Sequence, residues 1–380
     1  VPLLLAVLAA TAFAPASAAQ PHRLANLSAH EARTMAAASP KARLGKLLFE
    51  DATLSSPPGQ ACASCHAGVT GFADPRRHAP TSSGAREGLF GDRNTPALAY
   101  MTSSPAPRYD RDEASWVGGF FWDGRAGTLE EQAKGPFLNP VEMAAAGPAE
   151  IVGKVRAARY APLFREVFGA DALDDPTRAF DRIAEAIAAY ERTPVFAPYT
   201  SKYDAWLARR ATLTPAERRG LDVFVRKDKG NCEACHPVSR RPDGRGGLGT
   251  DHTYDNLGVP ANPDNPFYRL AAAFNPAGER MVDRGLGDVV RQPPEYGKFK
   301  VPTVRNVEVT APYMHNGYFA TLRGVVEFYN SRDAWPRCEE ARVTEAEALH
   351  RRCWPRPEMV ANVNVEELAK AELELPKGPF

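Results

Sequence analysis

Cys62-Ala63-Ser64-Cys65-His66 is the stretch whose reading decides the fold. Two cysteines separated by two residues, with a histidine next, form the attachment pattern of a c-type haem. Thiols one helical turn apart can each add to a vinyl group on one edge of a porphyrin. The histidine can then turn its imidazole onto the iron. A single copy would also suit half a zinc site or a redox pair. The pattern returns as Cys232-Glu233-Ala234-Cys235-His236, so four of the six cysteines are spent on two complete copies. The reading is two covalently bound haem c groups, with His66 and His236 as proximal ligands.

The 380 residues are enough for two domains with a core each. A net charge of +1 with acids and bases interleaved excludes the electrostatic footprint of a nucleic-acid or anionic-membrane binder. With 34 prolines and 29 glycines the chain should turn often and hold little sheet. Residues 1–19 read as an export signal: a short apolar run from Leu3 to Leu8, then Ala16-Ser17-Ala18 as a small-x-small cleavage site. Thr11, Pro15 and Ser17 interrupt that run, which falls short of the roughly 20 residues needed to span a bilayer. No later stretch is apolar enough to span, so a soluble protein of the periplasm is expected. In that oxidising compartment the remaining pair, Cys338 and Cys353, defaults to a disulfide.

Helical periodicity leads into both haem motifs. Leu44, Leu47 and Leu48 share a face in Lys41–Phe49, and Thr214-Pro215-Ala216-Glu217 is a capping box opening a helix expected to bury Leu221, Phe224 and Val225. Between them, Thr128 with Glu131 caps a helix through Gln132, and 148–168 reads as broken helix. Asp175-Pro176 opens a helix with Phe180, Ile183, Ala184, Ile187 and Tyr190 on one face. Later, Thr321 caps one with Leu322, Val325, Val326 and Tyr329 together, and the tail beyond Asn362 reads as a short acidic helix. Residues 68–94 and 239–294 read as loop. The expected class is mainly α: two cytochrome c-like haem domains with long loops and little sheet, 20–195 and 196–380, divided at Thr193-Pro194.

Five further stretches carry a more specific resemblance. They are Phe121-Trp122-Asp123-Gly124-Arg125, Glu131-Gln132-Ala133-Lys134-Gly135-Pro136, Asn139-Pro140-Val141-Glu142-Met143, Val301-Pro302-Thr303-Val304-Arg305-Asn306 and Ala311-Pro312-Tyr313-Met314-His315-Asn316-Gly317. In this order they resemble the bacterial di-haem cytochrome c peroxidase and MauG superfamily, over most of the chain from Leu44 to Asn330. The resemblance implies that Gln132, Pro136 and Glu142 lie on the peroxide side of the first haem, with Glu142 moving the proton that O–O cleavage needs. It implies Trp122 as an electron relay between the haems. It also implies a calcium ion held by Asn94, Thr310 and Pro312, the last two through backbone oxygens.

Two departures from the peroxidase branch matter. Its members carry a histidine in the loop after the first haem, which closes the iron until the other haem is reduced. Here Thr81–Gly88 has no histidine, and His78, slightly earlier, reads as a surface or propionate-contacting residue ahead of a substitute ligand, so an open first haem is expected. The branch's axial methionine stands fourteen residues after the histidine of the Pro-Tyr-x-His motif, which from His315 is Tyr329, as in MauG-like members. Met314 and Met281 are the competing ligands. A phenolate favours oxidised iron where a thioether would raise the potential.

The function implied is reduction of hydrogen peroxide with electrons from a small cytochrome or cupredoxin. The alternative is a MauG-like oxidase of a partner protein, and a non-catalytic di-haem carrier is a third class. The protein-modifying branch has an exit tryptophan two residues before the second motif, where this chain has Gly230. The implied reading is therefore the peroxidase.

Overall fold

The computed structural model describes residues 29–365, so the export signal and the acidic helix of the tail lie outside the described residues. Helix α1, Pro40–Phe49, starts where the Ser39 hydroxyl accepts from the Ala42 amide, and it buries Leu44, Leu48 and Phe49. These pack on the long helix α5, Pro176–Glu191, whose first turn is capped by the Asp175 carboxylate accepting from Thr177 and Arg178 amides. The helices approach so closely that a Cβ on Gly45 would meet the Ala186 carbonyl oxygen at 1.9 Å. Helices α2, Leu129–Leu138, and α3, Pro148–Ala157, lie against the same α5. Helix α4, Ala161–Phe168, follows α3 after a break. The expected face of α5 is buried as a stripe of Phe180, Ile183, Ala184, Ile187 and Tyr190.

This N-terminal core runs from Met35 to Phe196. Its centre is aromatic: Phe49 meets Tyr190 edge-on at 5.5 Å, and Phe72 stacks on Phe196 at 4.0 Å. The segment after Thr193 is therefore anchored, because fully buried Phe196 also accepts at its carbonyl from the Tyr100 amide. A second core holds Val259, Tyr318, Phe319, Phe328, Val343 and Trp354. Around it, Trp335 stacks on Trp354 with centroids 5.5 Å apart, and fully buried Arg332 donates to the Asp333 carboxylate and the Leu257 carbonyl. Cys338 and Cys353 are joined by a disulfide, S–S 2.07 Å.

Sheet among the described residues is confined to two antiparallel pairs. Strands β1, Arg108–Asp110, and β2, Ser115–Val117, form one; β3, Tyr254–Asp255, and β4, Phe299–Lys300, form the other with Tyr254 opposite Lys300. The fold is mainly helical with long connections.

The structure corrects two expectations of burial. After the short helix α6, Lys202–Leu207, helix α7, Pro215–Val225, keeps its reciprocal Thr214–Glu217 box but has no buried residue, and Leu221, Phe224 and Val225 are half-buried. Helix α8, Leu322–Ser331, buries Gly324, Phe328 and Ser331, whereas Val326 is 41% exposed. The reason is the same in both: part or all of the apolar stripe read as core borders a cavity. Leu322, Val325, Val326 and Tyr329 all line it, as do Val223 and Phe224. The first capping box also differs, since the Glu131 carboxylate accepts from Gly127 rather than from Thr128.

The disulfide closes a loop of 15 residues. The C338S/C353S double variant should therefore lose about 3 kcal/mol of stability on the chain-entropy account. Chemical denaturation of the oxidised protein beside the variant measures the difference, and equal midpoints would show that the surrounding tryptophan packing suffices.

Candidate functional site

Both haem motifs present their histidines in the same manner. Cys62–Cys65 forms a single helical turn, and His66 closes it by donating its amide to the Cys62 carbonyl at 2.9 Å. The turn after it, tied by the Thr70 hydroxyl to the Ala67 and Ala73 carbonyls, holds Phe72 at a φ of 62°. The Phe72 carbonyl then accepts from His66 Nδ1 at 2.9 Å. In the second motif His236 donates its amide to Cys232 at 2.8 Å, and its Nδ1 reaches the Gly249 carbonyl at 3.0 Å. A carbonyl only accepts, so Nδ1 carries the proton in each ring and the Nε2 lone pair is left for a metal. Burial pushes both imidazoles below the usual histidine range, which keeps them neutral as ligands must be.

One cavity of about 1630 Å³ is walled by both motifs. It is shaped for the groups the motifs imply, because each cysteine pair, each histidine and the apolar stripes of α7 and α8 face it. His66 and His236 would hold the irons, and Cys62, Cys65, Cys232 and Cys235 would hold the porphyrin edges.

On the N-terminal side, α2 brings Gln132 and Pro136 to the wall, and the chain then folds back on the last turn of α2. Met143 donates to the Pro136 carbonyl, Ala145 to Phe137, and Glu142 to Asn139, which leaves the Glu142 side chain facing the cavity. Burial first, and the neighbouring Asp92 second, push the Glu142 carboxyl up to about 7 against the opposing pull of Arg125. The loop Thr81–Gly88 braces this arrangement. Ala85 donates to the Glu142 carbonyl at 2.7 Å, Arg86 reaches the Ala144 carbonyl, and the Ser83 carbonyl accepts from Gln60. His78 is exposed and is not among the cavity-lining residues.

Trp122 is buried and lines the same cavity as both motifs. Its indole N–H donates to the Asn94 carbonyl at 2.8 Å, and its own carbonyl accepts from the Lys300 amide at 2.8 Å. Next to it half-buried Arg93 joins two buried carboxylates, Asp123 at 2.7 Å and Asp283 at 2.6 Å, from three distant segments.

On the C-terminal side Tyr329 projects from α8 into the cavity, where burial, then Cys232 and Cys235, raise its phenol. Met314 also lines the cavity and Met281 does not. Of the residues read as a calcium site, Asn94 and Pro312 meet: the Asn94 amide donates to the Pro312 carbonyl at 2.6 Å and to Met314 at 3.3 Å. The Thr310 hydroxyl turns to Val307. An ion there would need the Asn94 amide rotated so that its oxygen faces inward.

Among the buried ionisable groups on the wall that the sequence reading missed are Glu191 and Lys300. Glu191 had a signal. It stands four residues after Ile187 on the apolar face of α5, where a charge is out of place. Lys300, in a two-residue strand, had none.

Comparison with known proteins places this geometry. Residues 39–212 match the family model described as di-haem cytochrome c peroxidase. The methylamine utilization protein MauG of Paracoccus denitrificans is 39% identical over 333 residues, 86% of this chain and 82% of that protein. Cytochrome c551 peroxidase of Nitrosomonas europaea is 35% identical over 75% of this chain and 71% of its own. Among solved structures, the diheme peroxidase BthA from Burkholderia thailandensis superposes with a TM-score of 0.71 at 33% identity, covering 87% of this chain and 77% of that one. A MauG-like protein associated with microbial copper homeostasis gives 0.59 at 29% identity, covering 88% and 87%.

A Cβ on Gly84 would lie 2.4 Å from the Val141 carbonyl oxygen. G84A should therefore displace the turn that carries Glu142 and slow the reaction with peroxide about 100-fold, the cost of a shift near 1 Å. Stopped-flow absorbance on fully haem-loaded protein reads the rate, and a wild-type rate would show that the brace is dispensable.

Proposed function

This chain belongs to the di-haem cytochrome c peroxidase and MauG family, and within it we propose that the protein is a periplasmic peroxidase. It reduces hydrogen peroxide in the N-terminal half of the cavity, with a small cytochrome or cupredoxin as electron donor. Membership implies oxidoreductase chemistry on two haem c groups. When bound, these supply the redox chemistry, the first at the peroxide and the second as a store of oxidising equivalents.

Glu142 carries the reading. A carboxyl facing the cavity with a pKa of about 7 populates both forms near neutrality. As carboxylate it takes the proton from the inner peroxide oxygen, and as acid it returns that proton to the outer oxygen as water leaves. Gln132 offers a neutral hydrogen bond from the same wall, and Pro136 closes the turn that aims Glu142. The indole of Trp122, held by the Asn94 carbonyl on the wall of the shared cavity, is the proposed electron relay between the haems. Tyr329 would hold the second iron together with His236, supplying a phenolate that favours the oxidised metal. Asn94, Thr310 and Pro312 are proposed as the calcium ligands.

The second reading, oxidation of a partner protein, is favoured by the extent of identity with MauG. Against it stands Gly230, where a Cβ would lie 2.8 Å from the Val223 carbonyl oxygen of α7, so the backbone there has no space for an exit tryptophan. Steady-state turnover of peroxide with a reduced cytochrome separates the two. Rapid turnover is expected, whereas negligible turnover beside a long-lived oxidised protein would transfer the reading to protein oxidation.

Glu142→Gln should slow peroxide-driven oxidation by about 10²–10⁴, the usual worth of a general acid–base group, with both haems retained. The base must be ionised, so the wild-type rate should rise with pH through about 7 and then level, and the variant should lose that rise. A variant as fast as wild type removes Glu142 from the mechanism. Tyr329→Met and Tyr329→His should each alter the absorbance and potential of the C-terminal haem alone, and unaltered spectra would pass the ligand role to Met314.

A further inference from the structure

The last residue of α5 is a carboxyl that the proposed peroxide chemistry does not use. Glu191 is 3% exposed, lines the cavity, and has an Oε2 with no hydrogen-bond partner. The cation beside it in sequence does not neutralise it. Arg192 turns outward and grips Glu130 with both guanidinium nitrogens, at 2.6 and 3.0 Å. The other groups near Glu191 offer no positive charge either. On its own helix Tyr190 donates to Glu31, from α2 comes the anionic Glu130, and from the haem turn Cys62. Cys62 is close enough for the two groups to feel each other's charge. Burial, with Glu130 adding to it, pushes the Glu191 carboxyl up to about 8 against the opposing pull of Arg192.

Arg192 acts on it only through space, so a carboxylate in so dry a position gains further stability from positive charge in the cavity it faces. Such charge arises at the site beside Cys62, where oxidised and reduced haem differ by one unit. The two equilibria, proton on Glu191 and electron on the haem, are then linked, and each must shift the other by the same factor.

We propose that Glu191 is a redox-linked proton site of the N-terminal haem cavity. Its carboxylate takes one proton from solvent, forming an O–H bond, as a one-electron donor reduces the haem, and releases that proton when the haem is reoxidised. Charge in the cavity is thereby conserved on reduction. The inference rests on the haem being held at the first motif and makes no use of peroxide, so it can fail while the peroxidase reading stands.

The test is spectroelectrochemistry of the di-haem holoprotein with its haem content quantified, recorded from about pH 5.5 to about pH 9.5, beside redox-difference infrared spectra. In the wild type the potential of the N-terminal haem should fall with rising pH, with a slope approaching one proton per electron, and a protonated carboxyl C=O band should appear on reduction. In E191Q both should be lost, while in E142Q both should persist. Slope and band surviving in E191Q would overturn the proposal, as would their disappearance in E142Q alone. Should E191Q not retain haem, E191D carries the test. Withdrawing the carboxyl by one methylene must move the break in the potential–pH curve, and an unmoved break overturns the assignment.

Discussion

A backbone carbonyl on each imidazole Nδ1 is the constraint on which the rest of this molecule depends. Phe72 supplies it for His66 and Gly249 for His236. The bond fixes ring orientation and tautomer at once, so each Nε2 is aimed before any metal arrives. It also explains why structure far from the cavity matters. The Phe72 carbonyl is in place because the Thr70 hydroxyl ties its turn and the Phe72 ring stacks on Phe196, in the centre of the N-terminal core. The aromatic core thus positions a ligand as well as stabilising a domain.

The electrostatics of the cavity follow from one choice, to bury acids singly and bases in pairs. Glu142 and Glu191 face the cavity without a counterion in contact, and both are raised towards neutrality. Arg93, by contrast, is saturated by two aspartates, and Arg305 by Asp204 at 2.5 Å. Groups that hold or move protons stay poised, while those that hold segments together stay charged. Lys300 is the exception, a fully enclosed ammonium lowered to about 7 by burial, with Asp123 opposing.

Much of this was legible in the sequence, for reasons that differ by residue. The haem motifs and the α5 stripe are local patterns, and local patterns survive without tertiary knowledge. Gln132, Glu142 and Trp122 were legible only through resemblance, because by composition each is an ordinary helix, loop or core residue. The stripe on α8 shows the limit. Periodicity finds an apolar face but cannot say whether it meets protein or a cavity. The Arg93–Asp123–Asp283 cluster lay out of reach for another reason, since contacts across such separations leave no trace in spacing.

Trp122 is bonded to both halves of the molecule: its indole donates to the Asn94 carbonyl, and its carbonyl accepts from the Lys300 amide. The halves cannot hinge apart without stranding a buried polar group, at a cost of about 1–3 kcal/mol. A chain fastened in this way holds the walls that carry its two haem motifs in one hydrogen-bond register, so the width of the cavity does not wait on thermal motion.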